Sequence, residues 1–262
     1  MSPSRRRVPL LALTLALGGC NVAKALVGAA GGGTCSGPIT IAATGSVSGS
    51  TGNSSCKMPD GSTGTLYTLT LAQPAGVTPT VVANGFAAYL GAWTASGSVI
   101  AQTNTTPTRL KLFLAPGSYQ FGVSAVGDKD GSFTFSTLPA EVTACAAGPG
   151  GNISAIDNGI AMKGAVISGA LTSADCGGGT SRSDGYVLFG ATAGSSWTFD
   201  LTADGAATIA VVVGSAPPFG QKSLTAAGTM SLTVTGSTDP SFRIAVSGTP
   251  GTGAINYTLS IR

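Results

Sequence analysis

A chain of 262 residues, 43% apolar and 9% charged with 40 glycines, has room for one large domain or two of ordinary size. That apolar fraction excludes disorder, which needs few apolar residues and high net charge. The formal charge of +3 rests on Arg5, Arg6 and Arg7, without which ten basic residues face ten acidic ones; a neutral chain lacks the basic stripe that nucleic acid requires, so no nucleic-acid partner is expected.

In chain order, the first signal is an export signal. Arg5-Arg6-Arg7 forms a positive n-region, and Val8 to Leu17 is an apolar run too short to span a bilayer. Small residues Gly18 and Gly19 follow, then Cys20. Leu17-Gly18-Gly19-Cys20 resembles the bacterial lipoprotein box, with Gly18 where Ala or Ser is commoner. The resemblance implies that residues 1–19 are a removed signal peptide and that the Cys20 thiol carries a lipid. Acyl chains contribute about 0.8 kcal/mol per buried methylene, so the implied membrane anchor is stable. The alternative is an ordinary secreted protein with an incidental cysteine. Ser4-Arg5-Arg6-Arg7-Val8 is also similar to a twin-arginine signal, but Pro9 departs from it, and the general secretory route is the preferred reading. Residues 20–34, ending in a Gly-rich stretch, read as a flexible tether.

The remainder repeats itself. The first copy, 35–139, opens at Cys35, continues through Gly45-Ser-Val-Ser-Gly49 to Cys56, and reaches an aromatic strand at Leu66-Tyr67. The second, 140–262, opens near Cys145, continues through Gly164-Ala-Val-Ile-Ser-Gly169 to Cys176, and reaches Tyr186-Val-Leu-Phe189. The copies also end alike, in Ser118-Tyr-Gln-Phe-Gly-Val-Ser124 and Ser132-Phe-Thr-Phe-Ser136 against Ser241-Phe-Arg-Ile-Ala-Val-Ser247 and Ala254-Ile-Asn-Tyr-Thr-Leu-Ser-Ile261. Apolar residues alternate with Thr, Ser, Gln or Arg, a period of two that turns one row to a core and the other to water. Many such strands with frequent turns predict an all-β fold, two tandem antiparallel β-sandwiches.

Four cysteines remain after Cys20, two per copy. Of three connectivities, the repeat favours Cys35–Cys56 and Cys145–Cys176, since each copy then closes its own loop. The chain-entropy account gives about 3–4 kcal/mol per bridge. Free buried thiols are the alternative.

Each copy resembles the bacterial pre-peptidase C-terminal domain. The residues that carry the likeness are Gly169-Ala-Leu-Thr-Ser-Ala-Asp175-Cys176, Ser183-Asp184-Gly-Tyr186 and Ala193-Gly194-Ser-Ser-Trp197-Thr-Phe-Asp-Leu201, with Ala115-Pro-Gly117-Ser-Tyr119 in the first copy. The resemblance implies jelly-roll sandwiches that serve as non-catalytic appendages, some of which bind polysaccharide, collagen or calcium. Asp128-Lys-Asp130-Gly131 is the nearest approach to a calcium loop, and Ser132 stands where a further ligand is needed. A hairpin turn accounts for it, and no metal or cofactor is expected.

The chain has no His, which removes the Ser-His-Asp and Cys-His arrangements, and Glu141 is its one glutamate. Aspartates beside Gly read as turn residues. Ser54-Ser-Cys-Lys57 matches Ser-x-x-Lys by chance, because it straddles a cysteine in a loop. No enzyme is expected. Sugar binders expose aromatics; Trp197 is in phase with Phe199 and Leu201 and should face the core, whereas Trp93, in a Gly-rich stretch, is the candidate ligand platform. The reading is an envelope lipoprotein, at the outer membrane or cell surface, with modules that contact polysaccharide or an envelope protein. The alternative is a structural spacer or assembly unit without a small ligand.

Overall fold

The computed structural model describes residues 37–52, 56–127, 129–142, 158–213, 217–239 and 242–262. All its elements are strands. The first copy holds β1 (Ile39–Ile41), β2 (Gly45–Ser50), β3 (Cys56–Lys57), β4 (Thr63–Leu71), β5 (Ala75–Asn84), β6 (Ala88–Thr94), β7 (Val99–Thr103), β8 (Thr108–Arg109), β9 (Leu112–Leu114), β10 (Gly117–Ala125) and β11 (Ser132–Pro139). The second holds β12 (Ile160–Met162), β13 (Val166–Leu171), β14 (Arg182–Phe189), β15 (Ser196–Ala203), β16 (Ala207–Val213), β17 (Gly220–Leu224), β18 (Gly228–Thr235), β19 (Phe242–Gly248) and β20 (Ile255–Ile261). The all-β expectation holds.

The repeat is present in the sheets: nine strands of the first copy have counterparts in the second, and the two-residue strands β3 and β8 do not. One sheet of the first copy runs β1-β4-β10-β6-β7, and its counterpart in the second runs β12-β14-β19-β16-β17. The other sheet of the first copy runs β2-β11-β5-β9, with β8 on β5, and its counterpart runs β13-β20-β15-β18. The opening strands β1 and β12 are parallel to β4 and β14. Register fixes the residue equivalences. Tyr67 pairs with Phe121, which pairs with Ala92; Tyr186 pairs with Ile244, which pairs with Val211. Tyr67 and Tyr186 are both fully buried.

Alternation builds the cores. On β15, Trp197, Phe199, Leu201 and Ala203 point inward while Ser196, Thr198, Asp200 and Thr202 do not. Each large apolar side chain taken from water contributes about 1.5–3 kcal/mol. Glycine makes room where rings cross strands. A Cβ at Gly49 would sit 2.6 Å from Phe133 Cζ, and one at Gly169 would sit 2.5 Å from Tyr257 Oη. Both glycines lie opposite those rings in the ladder.

The copies are not separate sheets. The outer strand β9 of the first copy pairs in parallel with β12, which is also parallel to β14. This joins two sheets, one from each copy, into a single ten-stranded sheet. Ile160 N–H donates to the Lys111 carbonyl at 2.9 Å. Phe113 meets Tyr186 edge-on, with centroids 5.3 Å apart, and belongs to the second core. Ile160, Met162 and Phe189 pack in return against the first core.

Candidate functional site

Trp93, expected as an exposed platform, is fully buried. It sits on β6, on the face of its sheet opposite Leu90 and Ala92, and the Gly-rich stretch that suggested an open platform packs against it instead. Gly91 on β6 and Gly122 on β10 form a floor without Cβ atoms, and a Cβ at Gly122 would lie 2.9 Å from Trp93 Cζ3. Met58, 3% exposed, and Leu66 complete a small apolar cluster around the ring, with Cys56 and Tyr89 at its rim. The roof segment is latched: Tyr89 O–H donates to Asp60 at 2.7 Å, and Asp60 also accepts from Ser62 N–H and O–H. Burial pushes the Asp60 carboxyl up, but these hydrogen bonds outweigh it and hold the group below its ordinary value. Trp93 Nε1 is buried without a hydrogen-bond partner. No sugar face can reach this ring in the structure as it stands, so Trp93 is corrected from candidate platform to packing residue.

The most unusual ionisable group is Asp184, which the rule for aspartates beside glycine placed in a turn. It lies within β14, 1% exposed. Asn158 Nδ2 donates to it at 2.5 Å and Tyr257 O–H at 2.7 Å. The Tyr186 and Tyr257 hydroxyls are 2.6 Å apart. Since the Tyr257 proton goes to the carboxylate, Tyr186 donates to Tyr257. Burial pushes the Asp184 carboxyl up to about 6; hydrogen bonds from Tyr257 and Asn158 oppose the shift, as does the charge of Lys111, while Asp175 adds to it. Burial also drives both tyrosines upward, so they stay neutral. Asn158 N–H donates to Gly185 O at 2.7 Å and so fixes the entry to β12. The cluster is a buried brace beside the joint, and solvent does not reach its carboxylate.

The concavities among the described residues include two with well-defined walls. One, about 250 Å³, sits where the copies meet, walled by Ile100, Ile160, Leu188 and Phe189 with Thr238 and Asp239 at its side. The other, about 420 Å³, is a shallow depression over Ser168, Gly169, Thr202, Asn256, Tyr257 and Thr258. It belongs to an outer face covered with hydroxyls: Thr198 pairs with Thr233 and Thr202 with Thr229, each pair 3.0 Å apart, and Ser231 donates to Asp200. Hydrogen bonds that sequence could not foretell also close the loop at Gly177 to Gly179. The Arg182 guanidinium donates to Ser173 O, Gly179 O and Ser181 O, which commits it to the loop's own backbone.

Cys56 and Cys176 are both disulfide-bonded. Cys20, Cys35 and Cys145 lie outside the described residues, as does Asp128. Trp197 faces the core as expected, at 1% exposure.

No family model and no curated protein matches this chain. Among solved structures it is similar to the pre-peptidase C-terminal domain of a collagenase from Bacillus anthracis, at 17% identity and a TM-score of 0.34, over 40% of this chain and 99% of that one. It is also similar to a protein of Eubacterium rectale classed as secreted, at 9% identity and a TM-score of 0.27, over 87% of this chain and 79% of that one.

Proposed function

We propose that this chain is an exported lipoprotein, anchored through Cys20 at the cell envelope, whose two sandwiches act as a non-catalytic binding or adhesion module. The observation that carries the reading is Leu17-Gly18-Gly19-Cys20 placed where the apolar run of a signal peptide ends. Disulfide-bonded Cys56 and Cys176 support an oxidising compartment. The pairing proposed is Cys35–Cys56 and Cys145–Cys176. The absence of His and the burial of Asp184 speak against acid–base chemistry. With Trp93 buried, the surface offered to polysaccharide or an envelope protein is the hydroxyl-covered face over β13, β20, β15 and β18.

Intact mass of the membrane-extracted protein tests the anchor. The expected mass is that of residues 20–262 plus a diacylglyceryl group, with oxidised thiols; a mass that retains residues 1–19, or that carries no lipid, overturns it. A glycan array probed with the full chain tests the binding role. Thr202→Lys and Thr258→Lys, both exposed on that face, should abolish any signal. The second reading, a structural spacer, is favoured by the continuous sheet that joins the copies, and it predicts an array without signal.

A further inference from the structure

Four buried side chains close a ring of hydrogen bonds beside the joint. Asn158 and Tyr257 donate to Asp184, Tyr186 donates to Tyr257, and the Asn158 side chain reaches the Tyr186 hydroxyl as well. The ring is tied to the joint at three points. Asn158 N–H donates to Gly185 O on β14, and two residues on, Ile160 N–H donates to Lys111 O across the joint. Gly159 between them lies against the first copy, since a Cβ there would sit 2.7 Å from that same Lys111 carbonyl oxygen. Phe113, from the first copy, meets the Tyr186 ring edge-on. The ladder between β9 and β12 pairs Ile160 with Leu112 and Ala161 with Phe113. So short a ladder depends on what fixes its ends.

With Asp184 ionised, the donors of the ring point toward the carboxylate. With Asp184 protonated the order reverses: its O–H donates to Tyr257, Tyr257 to Tyr186, and Tyr186 to the Asn158 amide oxygen once that amide has turned over. The ring stays closed in either order, and the two differ by one proton and one charge. The charged order is the costly one, because Asp184 is 1% exposed. The ionisable groups that act on it are Tyr257 on β20, Tyr186 on its own strand, Asp175 in the turn before β14 and Lys111 beside β9. Both tyrosines stay neutral. Asp175, itself buried, repels the charge, and Lys111 attracts it. Burial outweighs that attraction and pushes the carboxyl up to about 6. Withdrawing Asn158 and the entry to β12 brings water to the carboxylate, so an ionised Asp184 gains from opening what a protonated one does not.

We propose that this ring is a proton-operated catch on the joint: protonated Asp184 keeps the entry to β12 closed on β14, and loss of its proton frees the β9–β12 ladder to open while both cores stay folded. The ring lies in the second copy, whereas Lys111 and Phe113 lie in the first, so opening parts the copies without unfolding either. The closed joint holds the proton more tightly than the open one. The catch is therefore set at low pH and released as pH rises through about 6.

Hydrogen exchange of the full chain at pH 5 and pH 7, corrected for the intrinsic rate at each pH, is the test. Amides of β12, Ile160 foremost, should exchange through an opening short of global unfolding, and so faster than the buried amides of β15. That opening should be about tenfold more populated at pH 7 than at pH 5. Asp184→Asn keeps the shape and removes the charge, and should hold β12 at its pH 5 level at both values. Should that variant misfold, the parent decides: the Asp184 carboxyl carbon, followed by nuclear magnetic resonance, should titrate in step with exchange at Ile160. A β12 as protected as β15 at both pH values overturns the proposal, since the joint then opens only when the whole chain unfolds. So does an opening indifferent to pH, or one whose pH dependence survives Asp184→Asn.

Discussion

The two buried tyrosines at equivalent places show what one oxygen does. Tyr186 shares its hydroxyl with Tyr257, whereas Tyr67 stacks on Phe135 and its hydroxyl has no partner. An orphaned buried hydroxyl costs about 1–3 kcal/mol, and a satisfied one contributes about 1. Tyr67→Phe should therefore raise stability by about 1 kcal/mol, and Tyr186→Phe should lower it by a similar amount, both read by chemical denaturation. Asp184 gives a pH dependence whose sign is opposite to that of a salt-bridged carboxylate. Its pKa rises from 3.8 in the open chain to about 6 in the fold, so the folded state holds its proton more tightly. This contribution is full below the open-chain value and is lost as pH rises through about 6. Denaturation at pH 7 and pH 5 should show the chain more stable at pH 5 by about 1.4 kcal/mol from this group. Asp184→Asn should flatten that slope; an unchanged slope would assign the effect elsewhere.

Strands carry the same lesson in both copies. A Cβ at Gly49 or Gly169 would strike the ring that crosses it, so Gly49→Ala and Gly169→Ala should each cost about 1–3 kcal/mol through a displaced aromatic. Gly169→Ala should cost more, because Tyr257 also holds Asp184; thermal melts of the pair decide this. Such strands were legible because their period of two is long and regular, as in Phe199, Leu201 and Ala203 of β15. What was not legible depends on groups remote in sequence. β12 is three residues, Ile-Ala-Met, too short for any period, and its partners are 48 and 27 residues away, at Leu112 and Val187. The Gly-rich stretch around Trp93 suggested an open platform; its roof, Met58, comes from a turn before β4, remote in sequence. Asp184 looked like a turn residue because it precedes Gly185, yet that glycine lies within β14.

At the scale of the molecule, the boundary expected near residue 139 parts two copies of one repeat, and the joint couples them. β11 ends at Pro139 and β12 begins at Ile160, while the sheet passes from one copy to the other through β9 and β12. Phe113, 3% exposed, is rooted in the first copy and packed in the core of the second. Removing either copy would expose apolar surface on the other at Phe113, Ile160, Met162 and Phe189. The chain should therefore melt in one calorimetric transition, with equal calorimetric and van't Hoff enthalpies. Phe113→Ala leaves a cavity at the joint and should cost about 3–5 kcal/mol. Because the lost contacts are those that couple the copies, the variant should also split the transition in two, with the second copy melting first, since the vacated space lies in its core. Two transitions in the parent chain would show that β9 and β12 touch without coupling the copies, and a single lowered transition in the variant would show that the hydrogen-bonded ladder alone suffices to couple them.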